Sequence, residues 1–158
     1  MVLIMTDTCN AGHIFRSKLL DRFATIESWA VSMLATGKQP SPNAPLGQKV
    51  DALAKLCAKS PPMFKSAKKI GERLERLKPY QDLRSSIVHS QMETVTSAES
   101  EVLLCFRNVA QTQAPARFRP VLLATKDCDD ILREVGKIYN ELKQMTAATP
   151  NPPSPPQP

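Results

Sequence analysis

Glycine is scarce in this chain, at five residues in 158, and aromatic side chains make up only 5% of it. Few glycines leave little material for the tight turns of an all-β sandwich or barrel. Few aromatics mean a core assembled mainly from Leu, Ile, Val, Met and Ala. Both shortages favour helices. The four cysteines, Cys9, Cys57, Cys105 and Cys128, form no C-x-x-C pair and no Cys/His cluster, so no metal site is expected. There is no Walker-type phosphate loop, G-x-G-x-x-G or G-x-S-x-G. Ordinary kinase, dinucleotide and hydrolase readings drop out, and no cofactor is expected. The opening "MVLIMTDTCN" lacks the basic n-region of a signal peptide. No run approaches the roughly 18 apolar residues of a membrane span. A cytoplasmic protein with free thiols and no membrane contact is the expectation.

What is present reads as one domain. Hydrophobic residues make up 42% and charged residues 23%, ordinary values for a chain that buries a single core. Phe15, Leu19, Phe23, Ile26, Ala30 and Met33 recur at steps of three and four and predict a long helix over 14–35. Pro40, Pro42 and Pro45 end it. Leu46, Val50, Leu53 and Cys57 predict a second helix to about Ala58. Ala67, Ile70, Leu74 and Leu77 predict a third, from about Met63 to Lys78. Pro79 either kinks that helix or opens a new one over 80–92, with Tyr80, Leu83 and Ile87 facing the core. "EVLLCFRNV" (101–109) and "ARFRPVLLA" (116–124) predict an antiparallel hairpin, with Pro120 confining the second run to an edge. A last helix follows to about Met145, capped by Thr125 or Asp127. The expected division is an N-terminal arm (1–13), a helical domain (14–145) and a disordered tail (146–158). The tail ending in "TPNPPSPPQP" has no side chains with which to build a core.

The net charge of +6 is concentrated. Residues 49–84 carry ten Lys/Arg against four acidic residues, which accounts for the whole excess. Lys65, Lys68, Lys69, Arg73 and Arg76 form its centre and are candidate nucleic-acid contacts; the plainer reading is a solvated helix face. Beside them lies "LKPYQDLRSSIVHSQM" (77–92), with Arg84 and one of only two histidines, His89. At about 100° per residue, Val88 and Met92 fall between Arg84 and His89 on a helix. That arrangement is an apolar strip with polar edges, suited to a partner helix. The alternative is that Val88 and Met92 are core and His89 an ordinary residue at a helix end.

"LRSSIVH" (Leu83–His89), preceded by "DRFATIESW", "LGQKVDALAKL" and "GERLERLKPYQD" in that order, resembles the HEPN superfamily (higher eukaryotes and prokaryotes nucleotide-binding domain). Members are small helical domains whose late helix carries R-x(4–6)-H. The resemblance covers about 14–145 and implies a mainly α, HEPN-like bundle of four to five helices with a small β-hairpin before the last helix. It also implies a metal-independent endoribonuclease acting on RNA, with its site completed in a homodimer. Arg84 and His89 would be catalytic, with Ser85 as the polar residue that follows the arginine. Glu27 is a candidate partner for Arg84, against the plainer reading of a solvated helix residue. Ser85 stands where the superfamily most often has Asn, and Gln91 where active members often have Tyr. These departures leave open a catalytically inactive binding or protein-interaction module. A neutralising protein partner also stays open.

Overall fold

A computed structural model describes residues 2–39, 43–108 and 120–147 of the chain. The order of elements is α1 (Val2–Thr36), α2 (Leu46–Cys57), α3 (Ala67–Val88), β1 (Ser90–Thr96), β2 (Val102–Asn108), β3 (Val121–Leu123) and α4 (Thr125–Ala147). The fold is mainly helical, with a small antiparallel sheet, as the sequence predicts. Its contacts resolve into two compact units, each assembled from separated stretches of chain. Among the described residues no helix is long and apolar enough to cross a membrane.

The first unit comprises Met1–Ala24 and Pro79–Gly136. Its sheet has the order β1-β2-β3, antiparallel throughout. Met92 stands opposite Phe106 and Thr94 opposite Leu104, so one face of the sheet carries Met92, Leu104 and Phe106. That face packs on α1: the Phe15 and Phe106 ring centroids are 6.2 Å apart. Phe15, Leu19, Phe23, Ile87, Leu104 and Phe106 are all essentially inaccessible. Gly12 brings α1 close to the sheet, since a Cβ there would lie 2.2 Å from Met92 Sδ. β3 is a three-residue edge strand directly after Pro120, in keeping with a residue that cannot donate to a ladder. Asp127 closes the start of α4 by accepting the Ala124 N–H at 3.0 Å.

The second unit comprises Thr25–Lys78 and Lys137–Pro158. Ile26, Ala30 and Leu34 of α1 and Val50 and Leu53 of α2 are buried. So are Ile70, Leu74 and Leu77 of α3, and Ile138 and Leu142 of α4. Trp29 Nε1 donates to Thr146 Oγ1 at 3.2 Å, which satisfies the indole of a buried residue. At the end of α1 the Gln39 N–H reaches the Leu34 carbonyl and the Lys38 N–H reaches Ala35, a Schellman arrangement. Its left-handed position is held by Lys38 (φ 52°), one residue after Gly37.

Three sequence expectations change. Residues 2–13, read as an arm, continue α1. The third helix, expected from about Met63, begins at Ala67, and of the two readings of Pro79 the one that keeps a single helix holds, with Pro79 inside a helix that runs to Val88. The helix stops at Val88, and residues 90–96 form a strand whose first part, 90–92, the sequence reading placed in the helix. The expected loop "AQTQAP" and the tail beyond Ala147 lie outside the described residues.

Candidate Arg/His site and basic cluster

The Arg/His segment belongs to the first unit and the basic cluster to the second, so each is described separately. Arg84 is half-buried on the last turns of α3, and Ser85 beside it is exposed. His89 is exposed in the turn between α3 and β1. Arg84 lies within the last turns of α3 and His89 directly after its last residue, Val88. Arg84 Nε is buried with no hydrogen-bond partner among the described residues, and Gln81 Oε1 on the preceding turn is in the same condition. Buried polar atoms are nearly always paired. A guanidinium suits a phosphate through its terminal N–H groups, the buried Nε itself being closed to an outside ligand.

The turn that carries His89 is tied down on both sides. Ser90 Oγ donates to the Ser86 carbonyl, and Ser86 Oγ donates to the Asp82 carbonyl at 3.0 Å. From α1, Arg16 Nη2 donates to the Ser90 carbonyl at 2.6 Å while its guanidinium lies 5.6 Å from the centre of the Phe106 ring. Sequence reasoning missed Arg16. It stands 74 residues from Ser90, and its only local mark is a place beside Phe15 at the edge of the apolar stripe.

The apolar strip expected between Arg84 and His89 is not formed. Its second member, Met92, lies on β1 opposite Phe106 and faces Gly12, because the helical period ends at Val88. Val88 itself is half-buried at the helix end. Glu27, the candidate partner of Arg84, instead accepts from Lys49 Nζ at 2.5 Å in the second unit.

In the second unit, acidic residues occupy part of the basic cluster. Arg73 Nε donates to Glu141, and Arg76 Nη1 lies 3.6 Å from the same carboxylate. Lys78 is held by Glu75 at 2.8 Å and Asp51 at 3.4 Å, and the Glu75 bond leads in raising its pKa above the ordinary lysine value. Lys65, Lys68 and Lys69 are exposed and take part in no ion pair among the described residues. Of the five candidate nucleic-acid contacts, these three keep their charge free. Burial pushes the Cys57 thiol up to about 11 and the Cys128 thiol up to about 12, the charges of Asp127 and Asp129 adding to the latter. Neither is a thiolate near neutral pH. Comparison with protein-family models, with curated proteins and with solved structures gives no match.

Proposed function

We propose that the chain is a HEPN-like RNA-binding domain whose Arg84/His89 pair cleaves RNA without a metal, in a homodimer. The observation that carries this reading is the half-buried Arg84 in the last turns of α3, its Nε without a hydrogen-bond partner among the described residues, followed by an exposed histidine in the turn that ends the helix. In the reaction, one His89 takes the proton of a ribose 2′-hydroxyl as that oxygen attacks the adjacent phosphorus. The bond from phosphorus to the 5′-oxygen breaks, and a protonated His89 from a second copy delivers a proton to the leaving oxygen. The products are a 2′,3′-cyclic phosphate and a 5′-hydroxyl. Arg84 donates to the phosphate oxygens as charge builds on the five-coordinate phosphorus. Ser85, exposed beside it, offers a hydroxyl to the same phosphate. Lys65, Lys68 and Lys69 attract the backbone without regard to sequence, with Arg73 and Arg76 contributing less because they share Glu141.

A single copy supplies one His89, so the dimer is part of the mechanism. The test is light scattering on the purified chain, followed by incubation with 5′-labelled RNA in excess EDTA. A dimer that yields fragments ending in cyclic phosphate is expected. A dimer that binds RNA and never cuts it overturns the nuclease reading and leaves an inactive binding module in its place.

A further inference from the structure

Within the second unit, an open cleft of about 540 Å³ separates the end of α2 from the first turns of α3. Ala54, Cys57 and Ala58 line one side, Ala67 and Gly71 the other, and the buried Phe64 contributes between them. Lys59, Lys65 and Lys68 stand around this mostly apolar surface, against a single carboxylate, Glu72. All three lysines are exposed, and none takes part in an ion pair among the described residues. The Cys57 thiol is held neutral by burial and adds to the apolar lining.

Gly71 is the second, independent observation. It sits inside a helix without a positive φ, and a Cβ placed there would meet nothing within 4 Å. Glycine weakens a helix interior relative to alanine. Neither its backbone conformation nor any neighbour among the described residues calls for it. A ligand that lies close against the helix backbone does.

We propose that this cleft docks an acidic segment of a partner protein. One aliphatic side chain of that segment enters between Ala58, Ala67 and Gly71. Flanking Asp or Glu residues meet Lys59, Lys65 and Lys68. Charge complementarity fixes the sign of the partner, and the apolar lining fixes the anchor. A nucleobase fits less well. Its polar edges would be buried against carbon, and Phe64, itself buried, presents no ring for stacking. This inference does not depend on RNA cleavage. Since Lys65 and Lys68 also belong to the proposed RNA-binding face, the acidic segment and RNA would exclude each other.

The experiment is fluorescence anisotropy with the full chain and a labelled helical peptide carrying leucine along one face and glutamate beside it. Binding in the micromolar range is expected, weakened about tenfold or more by Leu→Ser in the peptide and by reversal of Lys59, Lys65 and Lys68 to Glu. Gly71→Leu puts a side chain into the cleft, its Cβ meeting nothing within 4 Å, and should abolish binding without lowering the melting temperature. If that variant fails to fold, Ala58→Leu closes the cleft from the opposite wall. Absence of binding, undiminished binding to the filled cleft, or preference for a lysine-flanked peptide would each overturn the proposal. So would an oligonucleotide, rather than the peptide, being displaced by Gly71→Leu.

Discussion

Replacing Arg16 with Met keeps an aliphatic stem of similar length and removes the guanidinium that clamps the His89 turn. Two interactions go with it: the 2.6 Å bond to the Ser90 carbonyl and the contact over the Phe106 ring. A hydrogen bond from a charged donor contributes about 1.5–3 kcal/mol, and a partly shielded cation–π contact about 0.5–2 kcal/mol. Against these stands Arg16 Nε, buried with no partner, whose removal relieves a desolvation cost of about 1–3 kcal/mol. The balance centres on a net loss of about 1.5 kcal/mol, which for a chain of this length lowers Tm by roughly 3–6 °C. Thermal unfolding followed by circular dichroism measures this directly. Hydrogen exchange supplies the local readout: amides of residues 89–91 should exchange faster while those of α2 keep their rate. Arg16→Lys retains the charge and a donor, so it should fall between the two. A Met variant that melts within about 1 °C of the unaltered protein, with unchanged exchange at 89–91, would show that the clamp does not hold the turn.

His89→Ala should lower RNA cleavage by about 10²–10⁴-fold with little change in binding, whereas Arg84→Ala should damage both; equal cleavage by either variant refutes its assigned role. Reversing Lys65, Lys68 and Lys69 to Glu should weaken RNA binding across sequences and flatten its salt dependence, and an unchanged slope of log K against log salt returns these lysines to plain surface. Lys38→Gly should raise stability by about 1 kcal/mol, because glycine accepts the left-handed position at φ 52° that lysine resists; urea unfolding with no gain would refute it. The buried thiols predict alkaline sensitivity. Cys57 and Cys128 ionise only near 11 and 12 when folded, against an ordinary value of 9.0, so above about pH 9 the unfolded chain binds fewer protons. Their contribution is complete below that pH and is lost as pH rises through the folded values, at up to about 1.4 kcal/mol per unit for each thiol. Urea unfolding between pH 8 and 11 should show a shallower decline in a Cys57→Ala/Cys128→Ala variant, and parallel curves would refute the assignment.

Helices with a strong apolar period were legible from sequence. α2 and α4 end within two residues of their expected limits, because Leu46, Val50 and Leu53, and Ile138 and Leu142, are buried as their spacing requires. Local propensity failed where tertiary packing decides. Residues 2–13, with Thr, Asp, Asn and Gly among them, make a poor helix in isolation, but Gly12 lets α1 close on Met92 and Leu104 of the sheet. β1 was hidden because "SQMETVT" follows a helix without a glycine or proline between them. Only its alternation marks it, with Met92 and Thr94 on one face and Gln91, Glu93 and Val95 on the other. The same lapse misplaced the apolar strip, since a helical angle has no meaning past Val88. Arg84 and His89 were visible as a spaced pair. Arg16 was not, since a bond across 74 residues leaves no local pattern.

The discontinuous make-up of both units bears on how the chain emerges during synthesis. The first unit needs Met1–Ala24 together with residues as late as Gly136. Phe15, Leu19 and Phe23, which that unit buries, are made early. At about 5–20 residues per second, the roughly 110 residues between Ala24 and Gly136 take about 5–20 s to translate. For most of that interval, until β2 has been made, the apolar stripe of α1 has no sheet to cover it, because β2 supplies Leu104 and Phe106. The nascent helix therefore waits with three large apolar side chains uncovered, a natural ligand for a ribosome-associated chaperone. Slowing translation downstream of Ala24 would lengthen that exposure and lower the yield of folded protein, with no change to any residue of the finished molecule.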